Sequence, residues 1–206
     1  MNFLTVAFYT LDTPYALEIK GLTASLDKLA LPYQIQGYTS RGTWVRNCGI
    51  KPEFILEMLQ VHQGVDILYV DADAIVHQVP TLFNSRQFLD STDIGVHRWY
   101  SPYLKKMELL SGTIFLRNNP KATRLLEAWV AKQKQMSDAW DQRVLSRVLE
   151  ENALAWSLRE SQLPASYVQI FDLMKAPNPV IEHMQASRRF KGEIDGHKNN
   201  RRVPKS

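Results

Sequence analysis

An apolar run in the first half of the chain ends on two carboxylates, Ile67-Leu68-Tyr69-Val70-Asp71-Ala72-Asp73. Four consecutive apolar residues are typical of a strand covered on both faces, and such strands occur mainly in parallel sheets flanked by helices. In the extended backbone after the strand, Asp71 and Asp73 point to the same side. The run therefore predicts a buried central strand with an acidic carboxyl edge, where ligands of open α/β sheets collect.

Two carboxylates in this arrangement match the chemistry of a hard divalent cation. Mg²⁺ and Mn²⁺ prefer oxygen ligands and keep coordination positions for water or for the phosphates of a substrate. Asp71 and Asp73 thus indicate a nucleotide diphosphate site. The alternative is that Asp71 caps a turn and Asp73 is merely solvated, as in many loops with this spacing. The buried strand before the pair favours the metal site.

The remaining hydrophobic pattern alternates between strands and helices. We expect strands over residues 4–9, 33–37, 66–70, 94–97, 113–116 and 180–183, and helices over residues 15–29, 51–59, 120–134 and 141–149. This β/α order predicts an α/β domain with a mostly parallel central sheet, helices on both faces and the metal site at the carboxyl edge of the strands.

Length and composition indicate the size of the core and the compartment of the protein. The 206 residues, 45% of them hydrophobic, suffice for one substantial core. Cys48 is the only cysteine, so an internal disulfide is impossible and a reducing, cytoplasmic setting is expected. The first residues lack the basic segment and cleavage site of a signal peptide, and no apolar run is long enough to span a membrane.

The net charge of +4 is unevenly distributed. Residues 188–206 hold seven Lys or Arg and two acids, a net +5, which leaves −1 on the first 187 residues. The charge distribution therefore does not indicate a basic DNA- or RNA-binding surface on the domain. We expect a domain over residues 1–191 and a basic, flexible tail over residues 192–206, which has too few apolar residues to offset the entropy of ordering.

Six segments occur in a characteristic order and together span nearly the whole chain. They are Phe8-Tyr9-Thr10, Lys51-Pro52, Tyr69-Val70-Asp71-Ala72-Asp73, Ser111-Gly112-Thr113-Ile114-Phe115, Trp140-Asp141-Gln142 and His183. Their order resembles the nucleotide-sugar-dependent glycosyltransferases of the GT-A fold. The most similar groups are the retaining group that includes glycogenin and bacterial lipopolysaccharide galactosyltransferases, and the related nucleotide-diphospho-sugar transferases.

The resemblance implies a metal site of three protein ligands, Asp71, Asp73 and His183, holding a Mn²⁺ or Mg²⁺ that bridges the two phosphates of the donor. The glycogenin-like group has His-x-x-Gly-x-x-Lys at this point, and this chain has His183, Ala186 and Arg189. Alanine replaces the glycine that lets backbone approach phosphate, whereas arginine keeps the charge and can bind two phosphate oxygens.

Trp140-Asp141-Gln142 is similar to that group's Asp-Gln-Asp-x-Leu-Asn stretch, in which the first Asp contacts the donor sugar. Asp141 and Gln142 match the pattern, whereas Arg143 and Ser146 depart from it. An inverting enzyme would use Asp141 as a base, and a retaining one would place Asp141 or Gln142 at the sugar face. The alternative for Asp141 is a helix cap.

The resemblance also implies contacts to the rest of the donor. The first loop would face the nucleotide base, Arg46 and Lys51 would meet the phosphates or the carboxylate pair, and Ser111-Gly112 would allow close backbone approach. The implied donor-binding residues are Phe8, Tyr9, Thr10, Arg46, Lys51, Asp71, Ala72, Ser111, Gly112, Ser187, Arg188 and Arg189, with Tyr15 and Lys191 as further candidates.

The predicted activity is metal-dependent transfer of a glycosyl group from a nucleoside diphosphate sugar, a UDP-sugar first of all, to an acceptor hydroxyl. The acceptor stays open among a glycan, a lipid-linked saccharide, a protein and a modified nucleic acid. One alternative is a non-catalytic nucleotide- or nucleic-acid-binding protein. Another is a metal-dependent nucleotidyltransferase, which would have no need of His183 and its basic neighbours.

Overall fold

The apolar run forms a central strand of a six-stranded sheet in the computed structural model, which describes residues 2–102 and 104–196. The sheet order is β2-β1-β3-β6-β5-β7, and a second, three-stranded sheet has the order β4-β9-β8. The strands are β1 (Phe3–Thr10), β2 (Tyr33–Tyr38), β3 (Asp66–Val70), β4 (Ala74–Val76), β5 (Ile94–Ser101), β6 (Lys106–Leu116), β7 (Glu160–Gln162), β8 (Gln169–Ile170) and β9 (Ile181–His183).

The predicted mostly parallel sheet is confirmed. Strand β1 pairs in parallel with β2 and β3, and β5 pairs in parallel with β7. Only β6 runs against its neighbours in this sheet. The helices are α1 (Tyr15–Lys28), α2 (Trp44–Cys48), α3 (Lys51–Val61), α4 (Arg86–Asp90), α5 (Pro120–Gln135), α6 (Asp141–Asn152) and α7 (Ala186–Gly196), with short 3₁₀ turns at Thr81–Asn84 and Ala165–Tyr167.

Alternating side chains of the central strand enter two hydrophobic cores, one on each face of the sheet. Ile67 and Tyr69 pack into the core that α3, α5 and α6 cover, whereas Leu68 and Val70 pack into the core on the side of α1. All five residues of β3 are buried. Helices cover both faces as predicted, and this explains the unbroken apolar run.

The predicted elements are all present, but two strands are longer than predicted. Strand β5 continues to Ser101 and β6 begins at Lys106, so that the two form a long antiparallel hairpin beyond the edge of the core. The extension mixes charged and aromatic residues without an alternating pattern, because cross-strand pairing rather than burial on one face holds it.

Helix α7 was not predicted, and the domain boundary expected after Lys191 falls inside it. The helix begins at Ala186 and continues to Gly196. At its far end, the Asp195 carboxylate accepts a hydrogen bond from the backbone N–H of Trp44 at 2.9 Å. Residues 197–206 of the predicted tail lie outside the described residues. Among the described helices, none combines the length and the apolar character that crossing a bilayer requires.

Candidate active site

Asp71 and Asp73 occupy the turn between β3 and β4. The backbone N–H of Asp71 donates to the carbonyl of Gly112 at 2.8 Å, which extends the pairing of β3 with β6 by one residue. The Oδ2 atom of Asp73 accepts a hydrogen bond from the backbone N–H of Ala186 at 2.7 Å. The acidic pair therefore lies at the predicted edge of the sheet, and the start of α7 orients one of its carboxylates.

His183 reaches the same place from the second sheet, at the end of β9 and opposite Ala74 of β4. Its Nε2 atom is hydrogen-bonded to the Thr113 hydroxyl at 2.8 Å. Its Nδ1 atom lies 4.0 Å from Asp73 Oδ1, and this buried nitrogen has no hydrogen-bond partner among the described residues. A Cβ at Gly112 would lie 2.9 Å from the imidazole, so glycine is required for this approach.

The three side chains fit a divalent cation. Asp71, Asp73 and His183 each offer one ligand atom, and these atoms lie within 4.8 Å of one another. Burial, with the neighbouring Asp71 charge, raises the pKa of Asp73. Burial lowers the pKa of His183, despite the attraction of Asp73, so the imidazole is neutral at pH 7 and its unpartnered nitrogen can accept a metal. A buried nitrogen without a partner is costly, and a bound cation would remove that cost.

Lys51 links the acidic pair to α6. Its Nζ atom lies 3.0 Å from Asp71 Oδ1 and 2.9 Å from Asp141 Oδ2, and it donates to the Ser111 carbonyl at 3.1 Å. Burial by itself lowers the pKa of Lys51, but the Asp141 and Asp71 carboxylates outweigh it and the pKa lies above its ordinary value. The ammonium group therefore stays charged in a site where only 5% of its side chain is exposed.

Asp141 is the first residue of α6, whose cap position is Trp140. The capping alternative therefore does not describe Asp141, because its Oδ2 atom instead accepts hydrogen bonds from Lys51 and from the Ser111 hydroxyl, the latter at 3.0 Å. Its Oδ1 atom is buried and has no partner in the described part of the chain. This oxygen remains available to a ligand in the cavity that Asp141 and Gln142 line.

These groups surround one cavity of about 280 Å³. The ends of β1 and β3, the middle of β6 and the starts of α6 and α7 all contribute to its wall. The predicted site residues that line it are Phe8, Tyr9, Thr10, Tyr15, Lys51, Asp71, Ala72, Asp73, Ser111, Gly112, Asp141, Gln142, His183, Ser187 and Arg188.

Two predicted donor-binding arginines lie elsewhere. Arg46 forms an ion pair with Asp138 at 2.9 Å and borders a separate surface depression. Arg189 pairs with Glu18 at 2.9 Å, because its position on α7 directs it toward α1. Neither side chain lines the cavity. Lys191, the further candidate, lies over the ring of Trp44 at 4.8 Å.

Several residues that line the cavity were not identified from the sequence. Trp44 and Trp140 pack against each other with ring centroids 5.6 Å apart, and both line the cavity. The position of Trp140 directly before Asp141 was a usable signal. Trp99 and Glu108 also line the cavity, but they meet only through the pairing of β5 with β6, which leaves no local sequence signal.

Comparisons with known proteins agree with this architecture. A sequence profile described as nucleotide-diphospho-sugar transferase matches residues 8–193. No curated protein sequence matches the chain. Among solved structures, a glycosyltransferase involved in the glycosylation of the major capsid of PBCV-1 is similar with a TM-score of 0.66 at 13% identity, covering 95% of this chain and 98% of that one.

Two further structures share the fold at similarly low identity. The glycosyltransferase GlyE of Streptococcus pneumoniae TIGR4 has a TM-score of 0.61 at 15% identity, over 89% of this chain and 54% of that one. Mouse xyloside xylosyltransferase 1 has a TM-score of 0.58 at 12% identity, over 91% of this chain and 99% of that one. These matches do not single out the glycogenin and lipopolysaccharide galactosyltransferase group. The profile match covers most of the chain, which therefore belongs to the nucleotide-diphospho-sugar transferase family and is a glycosyltransferase.

Proposed function

We propose that this enzyme transfers a glycosyl group from a UDP-sugar to an acceptor hydroxyl, with a divalent cation held by Asp71, Asp73 and His183. The observation that carries this proposal is the unpartnered, buried Nδ1 atom of His183, which faces the acidic pair at the cavity wall. Carboxylate ligands suit Mn²⁺ and Mg²⁺, and the imidazole favours Mn²⁺ because Mg²⁺ prefers an all-oxygen shell.

The bond between the anomeric carbon and the β-phosphate oxygen breaks, and a bond forms from that carbon to the acceptor oxygen, whose proton passes to the departing UDP. A cation held by Asp71, Asp73 and His183 would supply Lewis-acid stabilisation of the departing diphosphate. Ser187 and Arg188 line the cavity at the start of α7, where a hydroxyl and a guanidinium can donate to phosphate oxygens. Arg188 pairs with Asp172, and a diphosphate would compete with this carboxylate for the guanidinium group.

The other walls of the cavity suit the two ends of the donor. Phe8, Tyr9 and Thr10 lie at the end of β1, where an aromatic and polar edge can hold the uracil base. Asp141 and Gln142 lie across the cavity on α6, and Asp141 Oδ1 can accept a hydrogen bond from a hydroxyl of the transferred sugar. Lys51 keeps the Asp141 carboxylate oriented for this contact.

A screen of UDP-sugars for release of UDP tests the proposal. We expect the enzyme with Mn²⁺ to hydrolyse one of them slowly without an acceptor, and the rate to fall at least about 100-fold in Asp73→Asn, because the substitution removes a ligand of a cation worth several kcal/mol to the reaction. Asp90→Asn is the matched control, since Asp90 pairs with Arg86 on an exposed surface. Release of UDP at an unchanged rate after chelation of the metal would refute the proposal, as would a lack of hydrolysis of every donor.

A further inference from the structure

The hairpin of β5 and β6 places at the cavity two side chains that have no role in the proposed donor or metal site. Trp99 and Glu108 lie directly opposite each other in the antiparallel pairing, and both line the cavity. Leu110, two residues along β6, lines it as well. The neighbouring cross-strand pair, Tyr100 and Met107, does not line the cavity, in keeping with the alternation of strand side chains.

The strand order separates this pair from the nucleotide end of the cavity. Phe8 and Tyr9 lie on β1, which pairs with one edge of β3. Glu108 lies on β6, which pairs with the other edge of β3, and Trp99 lies on β5, one strand further out. Along β6, Glu108 is four residues from Gly112, which lies beside the His183 ring, and four residues of extended strand span about 14 Å. A transferred sugar fits within that span, between the metal ligands and the pair.

Part of the cavity wall is apolar. Val168, Ile170 and Leu173 line the cavity from the region of β8, and Leu173 is 48% exposed. A pyranose ring has apolar C–H faces and a rim of hydroxyl groups, so it fits between an indole face and an aliphatic wall with a carboxylate at its edge. Among the described residues, Glu108 forms no ion pair and therefore keeps its acceptor capacity for hydroxyl groups.

We propose that Trp99 and Glu108 form the acceptor subsite and that the acceptor is a glycan, whose terminal sugar stacks on Trp99 and donates hydroxyl hydrogen bonds to Glu108. The inference rests on the proposed function, because it names the acceptor of that same reaction. Trp99 and Glu108 are half-buried. In this proposal they bind the acceptor sugar, and the reacting atoms lie further toward Asp141 and the metal ligands.

The experiment measures UDP release by the full chain with Mn²⁺ and its UDP-sugar, with and without p-nitrophenyl glycosides of glucose, galactose, mannose and xylose. We expect one glycoside to accelerate UDP release. Trp99→Ala should raise the KM for that glycoside about tenfold, since an aromatic stacking contact is worth up to about one power of ten in affinity. Trp99→Phe should restore most of this loss, and Glu108→Gln should raise the same KM by a similar factor.

Tyr100→Ala and Met107→Ala are matched controls on the outer face of the same hairpin, and both should keep the wild-type KM for the glycoside. The KM for the UDP-sugar separates the donor and acceptor sites. If Trp99→Ala raised the donor KM as much as the glycoside KM, or left the glycoside KM unchanged in a folded protein, the subsite would be refuted. If the wild type hydrolysed its donor but no glycoside accelerated the reaction, the glycan inference alone would fail and the proposed function would stand.

Discussion

Replacing Lys51 by methionine is the sharpest test of how the site is held together. The substitution keeps an unbranched side chain that is one atom shorter, but removes the only cation that pairs with Asp141 in the described part of the chain. The Asp141 carboxylate is fully buried, whereas that of Asp71 is 37% exposed and can be solvated instead. Most of the loss therefore comes from Asp141.

Breaking a buried ion pair by removal of one partner costs about 3–5 kcal/mol. For a chain of this length, each kcal/mol lowers the melting temperature by about 2–4 °C, so Lys51→Met should lose about 6–20 °C. The control Lys20→Met removes a lysine from the exposed face of α1 and should change the free energy of unfolding by less than about 0.5 kcal/mol.

A double variant separates charge compensation from packing. In Lys51→Met with Asp141→Asn neither member of this buried pair carries a charge, so urea denaturation should give a smaller loss than the sum of the two single losses, by about 1–3 kcal/mol. Additive losses, or a Lys51→Met variant as stable as Lys20→Met, would refute the claim that Lys51 compensates the charge of the buried Asp141 carboxylate.

Two further substitutions probe the metal site and the core. Gly112→Ala should weaken Mn²⁺ binding at least about tenfold by calorimetry, because the added Cβ displaces the His183 ring, whereas Gly192→Ala enters open space and should not change it. Burial raises the pKa of Asp93, but hydrogen bonds from Arg159 outweigh it and hold the pKa at about 2, below its ordinary value of 3.8. The stability from this carboxylate is therefore complete above pH 3.8 and is lost as the pH falls to about 2, so Asp93→Asn should flatten that part of an acid denaturation curve.

The features of the fold and site that could be predicted from the sequence are those with a local pattern. The apolar run before Asp71 predicted a central buried strand, and the β/α order predicted the sheet and the helices on both faces. Asp73 and His183 were placed together by resemblance, and the structure brings their ligand atoms within reach of one cation.

The remaining features depend on contacts between distant residues. Helix α7 begins where the Ala186 N–H meets Asp73, 113 positions earlier in the chain, and it is joined at its far end to Trp44. The sequence predicted a flexible tail from residue 192 onward, because that segment has few apolar residues and no local pattern records these two contacts. Trp99 likewise meets Glu108 only once the hairpin has formed.

The melting temperature in the presence of UDP and Mn²⁺ shows whether the two ligands bind together at the proposed site. A ligand that binds only the native state at 100 times its Kd adds about 2.7 kcal/mol, which corresponds to about 5–11 °C here. We expect this shift for the wild type with UDP and Mn²⁺ together, and a much smaller shift with UDP and a chelator. Asp73→Asn should show little shift with UDP and Mn²⁺. An equal shift with UDP in the presence of a chelator, or in Asp73→Asn, would contradict a nucleotide site built on Asp71, Asp73 and His183.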